Sequence, residues 1–67
     1  MRELKLLTGT RVVVASDGAA VRGILEAATK DFVTLVDATD VSSPQAAPII
    51  GSVLIPCSRI QYVQAVS

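Results

Sequence analysis

The sequence predicts a mostly β protein in which a short N-terminal helix precedes a five-stranded, strongly bent antiparallel barrel. Three observations support this prediction. The chain has only 67 residues, and its apolar residues alternate in short runs separated by turn residues. In one of these runs Val21, Leu25 and Ala27 share a face, and Gly23 stands among them. A glycine in the middle of a strand marks a sharp bend or the close approach of another backbone.

The composition favours a small domain that needs a partner subunit. A domain of this length buries only about 60% of the surface that its unfolded chain exposes. Natural chains of this size usually add disulfides, a metal or an oligomeric interface. A single cysteine, Cys57, excludes an intrachain disulfide, and the lack of histidine argues against a zinc site. We therefore expect one domain over residues 1–67 that oligomerises and holds no metal or cofactor.

Charge and segment length predict a soluble, cytoplasmic protein. No segment approaches the roughly 20 apolar residues of a transmembrane helix, and the N-terminal residues lack the apolar stretch of a signal peptide. Six basic and six acidic residues give a formal net charge of zero. Nonspecific nucleic-acid binding depends on neutralising phosphates, so a net charge of zero does not support such binding. A local basic patch is still compatible with a net charge of zero.

The order of apolar runs and turn residues predicts the individual elements. Arg2 to Leu7 is expected to form the short helix, which must dock on the sheet because it is too short to be stable alone. Asp17-Gly18 is a strong hairpin signal, and the polar stretch from Thr39 to Pro48 is expected to be a variable loop. The expected strands are Arg11–Ser16, Ala20–Thr29, Phe32–Val36, Ile49–Ile55 and Arg59–Val66.

The fourth predicted strand is apolar on both faces. Ile49, Val53 and Ile55 alternate onto one face, and Ile50 and Leu54 onto the other. One face can contribute to the barrel core, but the other needs a second cover. Either another subunit or the N-terminal helix supplies that cover. We favour another subunit, because an exposed apolar edge strand invites pairing with a second chain.

Three short motifs follow one another along the chain. They are G-x-x-V-x-V from Gly9 to Val14, D-G-x-x-V-x-G-x-L from Asp17 to Leu25, and I-P-x-x-x-I-x-Y-V from Ile55 to Val63. Their order resembles the Sm/Lsm superfamily, which includes eukaryotic and archaeal Sm-like proteins and the bacterial Hfq RNA chaperones. The resemblance covers the whole chain except the loop from Thr39 to Pro48.

This resemblance implies an SH3-like barrel, capped by the N-terminal helix, that assembles with copies of itself. The fourth strand of one subunit would pair with the fifth strand of the next and close a homo-oligomeric ring of about six or seven subunits, which removes exposed edges. Single-stranded RNA, often rich in uridine, would bind around the pore. The residues expected at the subunit interface are Ile49, Ile50, Val53, Ile55, Ile60 and Tyr62.

The resemblance also identifies candidate RNA-binding residues. In that superfamily one loop carries Asp, a stacking residue and Asn, and another carries Arg-Gly or Lys-His. The matching stretches here are Thr29 to Val33, which has no Asn, and Pro56 to Ser58, which Arg59 follows. The usual polar groups are thus reduced in both loops, and the candidates are Lys30, Asp31, Phe32 and Arg59.

Each candidate also has a purely structural interpretation. Phe32 either stacks on a base or belongs to the core, and we favour the core. Lys30 and Asp31 either contact a nucleotide or form a solvated turn, and we favour the turn. Arg59 either contacts a phosphate or base or pairs with an acidic residue of a neighbouring subunit. Cys57 has no histidine or second cysteine to activate it, so we favour a small residue in a tight loop over a reactive thiol.

Taken together, these features favour a protein that is not an enzyme, because the chain lacks histidine, a cysteine pair, a phosphate-cradling glycine loop and a carboxylate cluster. The first hypothesis is an Sm-like ring that binds single-stranded RNA. The second is an Sm-like ring that serves as a scaffold for protein contacts and has lost RNA binding. The zero net charge and the missing Asn and Arg-Gly favour the second hypothesis. A monomeric adaptor with a different SH3-like barrel is the third.

Overall fold

The computed structural model describes residues 6–66 and is mostly antiparallel β structure, as predicted. Its strands are β1 (Arg11–Ser16), β2 (Ala19–Ala28), β3 (Phe32–Asp40), β4 (Ala47–Pro48), β5 (Val53–Pro56) and β6 (Ile60–Ala65). They pair in the order β4-β3-β2-β1-β6, and β5 pairs with β3 outside this path. A 3-10 turn at Cys57–Arg59 joins β5 to β6. Within the described residues, no helix is long and apolar enough to cross a membrane.

The strand count differs from the prediction, and two strand boundaries differ by more than one residue. The structure has six strands rather than five, because Ala47 and Pro48 of the predicted loop pair with the end of β3. The third strand continues past Val36 to Asp40. The fourth predicted strand begins only at Val53, since Gly51 adopts a φ of +90° and interrupts the extended backbone before it. The predicted helix lies largely in residues 1–5, outside the described residues, and Leu6 and Leu7 lie in a turn.

The core lies inside the curled sheet and is built by alternation along β1, β2 and β3. In β1, Val12 and Val14 are fully buried, whereas Val13 between them is only partly buried. Leu25, Val33 and Leu35 are also completely buried. Ala28, Ala38 and Ile55 complete the buried cluster. Burying one such Val or Leu side chain stabilises the fold by about 1.5–3 kcal/mol.

The predicted bend at Gly23 coincides with a bulge in the pairing of β2 with β3. A Cβ on Gly23 would lie 3.0 Å from the carbonyl oxygen of Val36 and 3.2 Å from Cα of Ala38. Glycine is therefore needed because the backbone of β3 approaches so closely. Two residues of β3, Asp37 and Ala38, lie opposite Gly23 and form a bulge in which Asp37 has a φ of +51°. Bulges of this kind bend a strand and increase its twist.

The turns that flank β2 contact opposite ends of the 3-10 turn. At one end, the backbone N–H of Cys57 donates to the carbonyl of Asp31 at 2.9 Å. At the other, Nη1 of Arg59 lies 3.5 Å from Oδ2 of Asp17. Because a single three-residue turn reaches both hairpins that flank β2, the sheet is curled into a barrel. Gly23, in the middle of β2, lies at the far side of the curl.

Candidate functional site

Three loops meet at one end of the barrel and carry all four candidate RNA-binding residues. They are the β2–β3 turn at Thr29–Phe32, the 3-10 turn at Cys57–Arg59 and the β1–β2 turn at Asp17-Gly18. The hydrogen bond between Cys57 and Asp31 joins the first two, and the ion pair between Arg59 and Asp17 joins the last two. We call these three turns the loop cluster.

Thr29 holds the β2–β3 turn in place. Its backbone N–H donates to the carbonyl of Phe32 at 2.8 Å. Its Oγ1 accepts hydrogen bonds from the backbone N–H groups of Asp31 at 3.2 Å and Phe32 at 3.1 Å. Threonine hydroxyls commonly organise turns in this way. The side chains of Lys30 and Asp31 are left exposed at the tip of a hydrogen-bonded turn, and the turn interpretation of these two residues is consistent with this geometry.

Replacing Thr29 with valine is expected to lower the free energy of unfolding by about 1 kcal/mol. The substitution keeps the shape of the side chain but removes the oxygen that accepts both N–H groups, and a hydrogen bond contributes roughly 0.5–1.5 kcal/mol net. Urea denaturation measures the change. Thr29→Ser retains the hydroxyl and should stay close to wild type. Equal stability of all three proteins would show that the hydroxyl does not support the turn.

Phe32 is not a core residue, so the favoured interpretation of this side chain is wrong. It is 44% exposed, whereas the next residue, Val33, is fully buried. Successive side chains of a strand point to opposite faces, and Val33 takes the inward position. Phe32 lies opposite Pro56 at the start of β3. An aromatic ring with almost half of its surface in solvent is therefore part of the loop cluster.

Arg59 forms an ion pair with Asp17 of its own chain. The two side chains of the Arg59–Asp17 pair are 68% and 63% exposed. An exposed ion pair contributes only about 0–1 kcal/mol, so another anion can displace Asp17 at small cost. Asp17 has a φ of +46°, a conformation that Asp and Asn tolerate better than other side chains.

Cys57 lies in the 3-10 turn, in agreement with its interpretation as a small residue in a tight loop. Its side chain is partly buried, and Sγ donates to the carbonyl of Thr29 at 3.4 Å. Together with the backbone bond to Asp31, this contact ties the 3-10 turn to the β2–β3 turn. Within residues 6–66, no three His, Cys, Asp or Glu side chains are grouped closely enough to hold a metal ion.

Strands β4, β5 and β6 lie at the edges of the described sheet. β4 and β5 pair only with β3, and β6 pairs only with β1 on the opposite side. The N–H of Val66 donates to the carbonyl of Arg11, so alternation directs the backbone groups of Val63 and Ala65 away from β1. By the same alternation, the N–H of Cys57 points to β3 and the backbone groups of Leu54 point outward.

The six predicted interface residues differ in their exposure. Ile55 is only 6% exposed and belongs to the core, so its side chain is not available to a partner. Ile49, Val53 and Ile60 are partly buried and pack against the core. Ile50 is fully exposed and Tyr62 is 57% exposed.

Leu54, at the centre of the β5 edge, was not among the predicted interface residues although it is 59% exposed. The alternation that assigned Leu54 to the outer face of the fourth predicted strand was the signal that could have identified it.

The fold is the Sm fold, as comparison with solved structures shows. A heptameric archaeal Sm protein aligns with a TM-score of 0.88 at 20% sequence identity, over 100% of both chains. The SmAP1 heptamer of P. aerophilum aligns with a TM-score of 0.87 at 20% identity, over 98% of this chain and 90% of the other. No protein-family model matches the sequence. A sequence comparison with curated proteins also gives no match.

Proposed function

We propose that this chain assembles into an Sm-type ring and binds single-stranded RNA at the loop cluster. The observation that carries the proposal is that β5 and β6 lie at opposite edges of an Sm-fold subunit whose structural neighbours are heptamers. Pairing of β5 with β6 of the next subunit is a head-to-tail contact. Such contacts generate a closed ring when the rotation between subunits closes, and we expect six or seven subunits here.

The side chains of the two edges support this assembly. The β5 edge presents Leu54, and the β6 edge presents Tyr62, both more than half exposed. Exposed apolar edges are aggregation sites unless another chain covers them. The backbone of β5 points outward at Pro56, so the pairing of β5 with β3 needs no N–H there. Proline, which has no N–H, is confined to such positions in a sheet. The outward hydrogen-bonding capacity of β5 is therefore centred on Leu54.

The loop cluster has the chemistry to hold a single strand without reading much sequence. Phe32 offers an exposed ring on which a base can stack. Lys30 and Arg59 offer positive charge to phosphates, and Asp31 offers an acceptor to a base edge. In the oligomer, each subunit would contribute one copy of the loop cluster, so weak individual contacts would act together.

Fluorescence anisotropy with short labelled oligo-U and oligo-A tests RNA binding, and sedimentation velocity tests assembly. We expect saturable binding by the assembled protein at low salt that weakens as salt is raised. A concentration-independent monomer would overturn the ring. The absence of saturable binding at low salt by the assembled protein would overturn RNA binding alone.

A scaffold for protein contacts is the second candidate. The chain has zero formal net charge, and Arg59 is already neutralised by Asp17. Both features weaken attraction to phosphates. The scaffold is favoured if the protein assembles but no oligonucleotide binds, whereas salt-sensitive binding of either oligonucleotide favours RNA.

Replacing Asp17 with asparagine is expected to increase RNA affinity by a few-fold. The substitution removes the carboxylate that competes with phosphate for Arg59, and an exposed pair is worth about 0–1 kcal/mol, up to roughly fivefold in affinity. Asparagine also suits the positive φ at this position. Anisotropy at low salt measures the change. In an Arg59→Gln background the same substitution should have little effect. An equal gain there would mean that Asp17 acts only through the overall charge.

A further inference from the structure

A shallow concavity lies on the outer face of the sheet at the β2 bend. Its volume is about 220 Å³, and it is lined by Arg11, Arg22, Gly23, Ile24, Asp37 and Thr39. Pockets for drug-sized ligands enclose roughly 300–1,000 Å³. This concavity is therefore too small for a large organic ligand and has space for one compact polar group.

The register of the strands brings two arginines to this concavity. Arg11 lies opposite Ile24 and Arg22 opposite Val13, so the two arginines are diagonal neighbours on β1 and β2. Both are exposed and lie on the face opposite the buried Val12 and Val14. Diagonal neighbours of an antiparallel pair are about 7–8 Å apart, within reach of long side chains.

The charges and hydrogen-bonding groups around the two arginines favour a small anion. Within residues 6–66, neither Arg11 nor Arg22 forms an ion pair; the pair present there joins Arg59 to Asp17. The lining contains one carboxylate, Asp37, against two guanidinium groups, and it also contains the hydroxyl of Thr39. Two guanidinium groups on neighbouring strands repel each other, and an anion bound between them relieves that repulsion.

We propose that this concavity binds a phosphate group. Guanidinium groups present planar, paired donors that match phosphate oxygens, and Arg–phosphate contacts are among the stronger hydrogen bonds in proteins. The phosphate can belong to a free ion or mononucleotide, or to the backbone of an RNA strand. The chemistry of recognition is the same for each source.

This site is separate from the loop cluster. It surrounds the middle of β2, whereas both ends of β2 meet the 3-10 turn. The proposal therefore depends neither on the ring nor on RNA binding by Lys30, Phe32 and Arg59. Substitutions of Arg11 and Arg22 leave the residues of the loop cluster unchanged.

Titration of the ¹⁵N-labelled protein, followed by NMR, tests the proposal. The probes are inorganic phosphate, uridine monophosphate and oligo-U, each compared with sodium chloride at equal ionic strength. We expect saturable shifts of the Arg22, Gly23 and Thr39 amides with phosphate-bearing probes and none with chloride. Saturation with phosphate or the mononucleotide identifies a small-ligand site, and saturation only with oligo-U identifies a contact to the RNA backbone.

Substitutions at the concavity provide the decisive comparison. Arg11→Gln and Arg22→Gln should each weaken binding by at least fivefold, and Asp37→Asn should strengthen it. The matched control Lys30→Gln, which removes a basic residue of the loop cluster, should leave the shifts caused by inorganic phosphate unchanged. Amide signals elsewhere in the spectrum report whether each variant is folded. Shifts that do not saturate, or that persist in both folded arginine variants, would overturn the proposal.

Discussion

Replacing Leu54 with aspartate is expected to convert the proposed ring into monomers. Leu54 is 59% exposed in the single subunit and lies at the centre of the β5 edge. Burial of a leucine contributes about 1.5–3 kcal/mol, and a carboxylate left unpaired in an interface costs several kcal/mol more. Every subunit contact of a ring contains one copy of this residue. All contacts are therefore weakened together.

Sedimentation velocity and native mass spectrometry measure this loss of assembly. Leu54→Met is the matched control, because it conserves volume and apolar character and should remain assembled. Circular dichroism checks that the aspartate variant keeps its β structure, which we expect since Leu54 is not a core residue. An aspartate variant with wild-type oligomeric state would exclude the β5 edge from the assembly.

The β6 edge provides an independent test of the same interface. The backbone N–H of Ala65 points away from β1, and its side chain is exposed. Ala65→Pro therefore removes an outward donor while sparing the pairing with β1, and it should weaken assembly. Ala65→Val keeps the N–H and should assemble normally. If the proline variant also assembles normally, the outward N–H of Ala65 makes no contact between subunits.

The sequence predicted the parts of the fold that depend on local pattern. β1 begins and ends where predicted, because Val12 and Val14 alternate with polar or less buried residues and Asp17-Gly18 ends the run. Gly23 was expected at a bend, and the contact with Val36 that a Cβ would make explains why. Residue alternation and turn dipeptides depend on residues that are close together in the chain, so they can be recognised in a single sequence.

Features that depend on bulges were not predictable from alternation. Ala27 was expected to share the inward face of Leu25, but Glu26 is an extra residue in β2 opposite β3, so Ala27 is exposed and Ala28 is buried instead. The bulge at Asp37 likewise allows β3 to continue beyond its predicted end. A bulge is specified by the pairing of two strands, and neither Glu26 nor Asp37 has a residue type that marks one.

The sequence placed the four candidate residues in two loops, but it did not predict the contacts that join these loops. Lys30, Asp31, Phe32 and Arg59 do lie in neighbouring loops, and the resemblance of motifs was enough to select them. The contact between Arg59 and Asp17 joins distant parts of the chain and exists because the curled sheet returns both ends of β2 to one turn. Phe32 was misassigned to the core because alternation alone leaves open which face of β3 is buried.

Replacing Phe32 with alanine is expected to weaken RNA binding by roughly 5- to 150-fold, the effect of losing about 1–3 kcal/mol of base stacking. The exposure of the ring and its place beside the 3-10 turn leave its surface available to a base. Arg59 and Lys30 act through charge, so salt weakens their contribution, whereas stacking is much less sensitive to salt.

Anisotropy measured over a range of salt concentrations separates these contributions. Phe32→Ala should lower affinity at every salt concentration and leave the slope of log affinity against log salt unchanged. Lys30→Gln should instead make that slope shallower. Phe32→Tyr retains an aromatic face and should bind nearly as well as wild type. If alanine and tyrosine bind equally well, Phe32 does not stack on a base. If the alanine variant changes the salt slope, its loss of affinity arises from a rearranged loop cluster and not from the missing aromatic side chain.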